Sequence, residues 1–81
     1  MMECTKGFYE ELVRIENEIN KSDLDNLYWF QDRVSKIRNV VGYLGYASGN
    51  EDDYDELCGV YEKAYEVRKK INRQIFHLER R

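Results

Sequence analysis

Apolar side chains recur along this chain at steps of three and four, in three separate runs. The first holds Phe8, Leu12, Ile15 and Ile19, which share one stripe of an α-helix. Glu10, Glu11, Arg14, Glu16 and Glu18 fall on the opposite face. The Thr5 hydroxyl is placed to cap orphan backbone N–H groups, so a helix is predicted from about residue 6 to 20. Asn20-Lys21-Ser22-Asp23 reads as a turn, with Ser22 or Asp23 capping the second helix. The second run is Leu27, Phe30, Val34, Ile37, Val41 and Leu44, widened by Leu24 and Val40. It predicts a helix over 24–44. Gly42 and Gly45 weaken its end, and Gly45 suits a left-handed position just past the last turn. Tyr46 to Asn50 is loop by composition.

The third run is Tyr54, Leu57, Tyr61, Ala64, Arg68, Ile71, Ile75 and Leu78. Asp53 and Glu56 have the spacing of a capping box, and a helix is predicted over 53–79. At 1.5 Å per residue it is ~40 Å long, against ~23 Å for the first helix. Ile75, Phe76 and Leu78 therefore extend past what the first helix covers, and either a stagger or a second subunit must shield them. Arg68 interrupts the seam. A guanidinium there must pair, fixing register with another helix or chain, or carry its head out to water. Arg68, Ile75, Phe76 and Leu78 are thus the candidate self-association residues.

Three helices with short connections imply an all-α, up-down-up antiparallel bundle, a single domain over 1–81 with a long C-terminal helix. A helix 2–helix 3 hairpin that dimerises, with helix 1 packed across it, is the alternative. The absence of proline and the presence of only five glycines favour helix over a turn-rich β chain. Charged residues make up 36%, but the apolar ones are periodic, which argues against disorder. A chain of 81 residues is close to the size at which one core suffices, so a homo-oligomer is expected, with a dimer favoured. No apolar run approaches the ~20 residues of a membrane span. The first residues lack a secretory h-region, so a cytoplasmic setting with Cys4 and Cys58 reduced is expected. An up-down-up bundle brings the two cysteines to the same end. With one histidine they do not complete a structural zinc site, and no cofactor is implied.

Net charge is −3, unevenly spread: residues 1–66 hold 7 Lys+Arg and 15 Asp+Glu, and residues 67–81 hold 6 basic residues and 1 acidic. Acids at a helix start and bases at its end complement the helix dipole, which accounts for much of this asymmetry. Two surfaces remain as candidates. The first gathers Tyr43, Tyr46 and Tyr54 with Glu51, Asp52, Asp53, Asp55 and Glu56, and Tyr61 and Tyr65 lie further along the helix. Tyrosine suits protein interfaces and dense carboxylates draw a basic partner; the spacing does not match a calcium loop. Trp29, off the second stripe, is a further contact candidate. The second surface is Lys69, Lys70, Arg73 and His77, with Arg80 and Arg81 beyond, a candidate phosphate contact. Nucleic acid is the weaker partner because the rest of the chain is acidic. No nucleophile–base pair or glycine-rich phosphate loop is visible, so no catalytic residues and no enzyme are expected. The expected function is protein–protein binding by a small regulator or inhibitor of a larger partner, of the kind mobile elements or viruses encode. Nucleic-acid or nucleotide binding, or service as a structural subunit of a homo-oligomer, are the alternatives.

Overall fold

A computed structural model describes residues 3–80, with side chains over 5–80. They form three helices: α1 at Glu3–Glu18, continued by a 3-10 turn at Ile19–Lys21, α2 at Leu24–Ala47 and α3 at Glu51–Glu79. No strand occurs among the described residues.

Cross-helix pairs give the directions. The Tyr28 hydroxyl donates to the Glu79 carboxylate, Gln31 Nε2 donates to Asn72 Oδ1 at 2.6 Å, and Gly42 lies against the Tyr61 ring. Positions rise along α2 as they fall along α3, so this pair is antiparallel. Between α1 and α2, Arg33 Nε donates to Glu11 Oε2 at 2.7 Å, while Ile15 and Glu18 flank Trp29 and Phe30. Between α1 and α3, Thr5 and Tyr9 lie beside Gly59 and Val60, and Glu16 reaches Lys63 and Lys70. The α1–α3 pair is thus parallel and the bundle runs up-down-up. The α2–α3 interface is the extensive one, and α1 leans on α3 more than on α2.

The core is a continuous column of Leu12, Ile15 and Ile19 from α1 and its 3-10 turn, Leu27, Val34, Ile37 and Val41 from α2, and Leu57, Val60, Ala64, Val67, Ile71 and Ile75 from α3. Each large aliphatic side chain fully withdrawn from water contributes roughly 1.5–3 kcal/mol, set against ~1–2 kcal/mol of backbone entropy for every ordered residue. Phe8, Leu24, Phe30 and Leu44 pack on the column half-buried, but Val40 faces solvent and does not widen the α2 stripe.

The α3 seam differs from the one its spacing suggested. Leu57, Ala64, Ile71 and Ile75 point inward as expected, but Val60 and Val67 fill the alternate positions, not Tyr61 and Arg68. Burying valine leaves no polar tip stranded, whereas a tyrosine hydroxyl and a guanidinium both need partners. Tyr54 and Tyr61 stay about half exposed on the flank.

The caps also shift. α1 starts before Thr5, which is buried inside the helix and not its cap. Asp23 caps α2, accepting from the Asn26 N–H at 2.9 Å. That helix continues through Gly45 to Ala47, and no described residue has a positive φ. α3 begins at Glu51 with Asn50 as cap, whose Oδ1 accepts from the Asp52 N–H at 2.8 Å and the Asp53 N–H at 3.4 Å, in place of the Asp53–Glu56 box.

The far end of α3 is covered within the chain. The 3-10 turn and the start of α2 prolong the cover that α1 provides, so Ile75 is buried and Leu78 packs on the core. Phe76 alone of that trio stands in solvent, 61% exposed.

Candidate functional site

The start of α1, the end of α2 and the start of α3 meet at one end of the bundle. Because α2 runs on as helix past Gly45, Tyr43 and Tyr46 project from its last turns, 72% and 92% exposed. Asn50 holds the first turn of α3, whose backbone N–H groups favour the carboxylates of Glu51, Asp52 and Asp53 beside them. Tyrosines and acids predicted to lie together therefore do share an end.

Two open grooves flank α3 there. The one against α2, about 340 Å³, has Gly42 and Gly45 as its floor and Tyr46, Tyr54 and Tyr61 as its walls, with Leu57 and Cys58 at its base. The missing side chains at the glycines create the depression. The Cys58 sulfur beside the Tyr54 hydroxyl pushes that phenol above its ordinary value, with the Asp55 charge adding to the effect. The groove against α1, about 380 Å³, lies over Gly59 and Val60, with Tyr9 and Thr5 opposite and Lys6, Glu10, Asp55 and Glu56 at its rim. Both have the volume of small binding clefts and an apolar floor; the α1–α3 groove alone has a carboxylate edge. Tyr9, Glu10 and Gly59 did not stand out in the sequence. The available signal was Tyr9 adjoining the α1 stripe without belonging to it.

Trp29 is not part of this end. It lies in the first turns of α2, ~21 Å along the helix from Tyr43, 61% exposed with its ring edge-on to Phe30 at 5.7 Å. Glu11, Arg14 and Glu18 surround it across the α1–α2 groove.

The basic residues of α3 divide between a side facing α1, with Lys63 and Lys70, and an outward side, with Lys69, Arg73 and Arg80. Lys70 is held by Glu16 at 2.6 Å and Glu66 at 3.5 Å, and Glu16 also accepts from Lys63 at 3.0 Å. Hydrogen bonds from Lys70 and then Lys63 hold the Glu16 carboxyl below its ordinary value of 4.5, and the same bond raises Lys70. A phosphate at Lys70 would have to displace Glu16. Lys69 instead lies over the Tyr65 ring at 5.6 Å and Arg80 over Phe76 at 5.1 Å, with Arg73 exposed on the same side of the helix as these two and His77 exposed further round it. Arg68 is half-buried beside the seam, and its Nε is enclosed without a hydrogen-bond partner among the described residues. Cys58 is a free, half-buried thiol; the Cys4 side chain, expected from the sequence at the same end of the bundle, lies outside the described side chains, as does Arg81 among the basic ones.

Among the described residues no group of three His, Cys, Asp or Glu side chains is placed to hold a metal, and no helix is long and apolar enough to cross a membrane. Comparison with protein-family models, curated proteins and solved structures found no match to this chain.

Proposed function

We propose that this chain acts by binding another protein through its acidic, tyrosine-rich end, and that it regulates or inhibits that partner in the cytoplasm. The observation that carries the reading is the pair of apolar grooves on either side of the first turns of α3, one walled by Tyr46, Tyr54 and Tyr61, the other lined by Tyr9 and edged by Glu10, Asp55 and Glu56. Tyrosine offers rigid apolar area with a polar tip at little entropic cost. Carboxylates at the rim steer a basic surface into contact and select against acidic ones. The fitting partner presents lysines or arginines around one or two apolar side chains that enter the grooves.

Affinity capture from the native cell, followed by titration of the purified partner, tests this. Tyr46→Ala and Tyr54→Ala should each weaken the partner by tenfold or more while circular dichroism stays unchanged, and raised salt should slow association. Equal retention by the tyrosine variants, with loss on changing Trp29 or Arg73, would overturn the reading. Nucleic-acid binding through Lys69, Lys70 and Arg73 is disfavoured by the engagement of Lys70 with Glu16.

A further inference from the structure

We propose that the outward arc of α3 is a self-complementary seam on which a second copy of this chain docks antiparallel, about an axis between Tyr65 and Glu66. The arc lies away from the core column and from α1. Its centre carries Tyr54, Tyr61, Tyr65 and Phe76, between 42% and 61% exposed, at helical spacings that keep them in one row. One flank of that row carries acids in its first half, Glu51, Asp55 and Glu62, and bases in its second, Lys69, Arg73 and Arg80.

Turning α3 end for end about the proposed axis sets Glu62 level with Lys69, Glu51 level with Arg80, and Arg73 level with Cys58, one turn from Asp55. Phe76 comes beside Tyr54. Each pairing occurs twice by symmetry, as a two-fold interface requires. A parallel arrangement sets acid on acid and base on base, which is unfavourable.

Two further observations support this occupant. The α3 charges that face α1 are matched within the chain, Lys63 and Lys70 by Glu16. None of the six charges on the outward flank is in an ion pair among the described residues. Lys69 and Arg80 rest on aromatic rings of the row itself, which holds their heads at its edge, where a second chain's carboxylates would arrive. A purely basic partner matches only the first half of the flank, and a polyanion only the second. A copy of the chain matches both.

The seam differs from the residues that spacing alone singled out for self-association: Ile75 and Leu78 are used by the core, and only Phe76 carries over. It shares Tyr54, Tyr61, Glu51 and Asp55 with the acidic end, so a second copy and the partner compete there, while Tyr9, Tyr43 and Tyr46 stay uncovered. Glu62 and Lys69, which line neither groove, test the seam separately.

Sedimentation equilibrium of the full chain tests the seam. The expected mass at low salt is twice 9.8 kDa, falling toward one chain as salt rises. Glu62→Lys and Lys69→Glu should each weaken the dimer by about tenfold or more, since each replaces two attractive pairs by two repulsive ones. Mixing the two variants should restore a tight heterodimer, because one of its two 62–69 pairs is again of opposite charge in the native sense and the other in the reversed sense. Circular dichroism of each variant reports folding separately, and complementation on mixing does not arise from a folding defect. A single-chain mass at every concentration, an assembly larger than a dimer, or a mixture no tighter than its components would overturn the proposal. So would retention of a labelled oligonucleotide by Lys69 and Arg73 in a chain that stays monomeric.

Discussion

Gly59→Ala separates stability from binding at one position. Gly59 sits in the third turn of α3, exposed, with helical neighbours on both sides. A Cβ built there meets no atom within 4 Å, so the added methyl introduces no clash. Glycine in a helix interior is about 0.8–1 kcal/mol less favourable than alanine, because the unfolded chain gives up more backbone freedom. In an 81-residue domain each kcal/mol shifts Tm by roughly 4–8 °C, so a rise of about 4 °C or more is expected by thermal circular dichroism. The same methyl fills the floor of the α1–α3 groove, which Gly59 and Val60 form. Partner affinity measured by titration calorimetry should therefore fall while Tm rises. A lower Tm would show that α3 is not a regular open helix at this point. A higher Tm with undiminished affinity would remove the α1–α3 groove from the binding surface.

Glu16→Gln should lower Tm with a defined pH dependence. The folded carboxyl is held below 4.5 by Lys70 and Lys63, so its contribution is complete above that value and is lost as pH falls through the depressed folded value. The gap between wild type and variant should close in acid, and a gap that persists there in a Tm–pH series would contradict the assignment. Arg68→Leu removes a guanidinium whose Nε is enclosed without a partner, and should raise stability by about 1 kcal/mol in urea unfolding; a loss would mean that Arg68 has a partner in solution. Asn50→Ala deletes the α3 cap, which accepts from two backbone N–H groups, and should cost about 1 kcal/mol, read as a lower Tm with an unchanged helical spectrum at low temperature. An unchanged Tm would argue that another group caps the helix.

The α2 stripe was readable because Leu27, Val34, Ile37 and Val41 are aliphatic and all four are buried. α3 was harder because two heptad-like rows lie side by side on it. Counting tyrosine as apolar favours Tyr54, Tyr61 and Arg68, whereas desolvation favours Val60 and Val67. The rows share Leu57, Ala64, Ile71 and Ile75, so helix and register survive the misreading while the identity of the exposed face does not. Gly45 looked like a stop because glycine is common after a last turn. Nothing in the backbone required a positive φ there, and the helix carried Tyr43 and Tyr46 onward to solvent. The acidic tyrosine cluster was legible from local sequence. Its grooves were not, since they depend on the register of Gly42 against Tyr61 and of Tyr9 against Gly59, which only packing across helices sets.

Hydrogen–deuterium exchange on the chain with and without its purified partner tests the central claim most directly. Protection gained over residues 43–58, and over the first turns of α1 around Tyr9, is the predicted result. Protection confined to residues 68–80 or to the start of α2 around Trp29, with the acidic end exchanging as in the free protein, would contradict it.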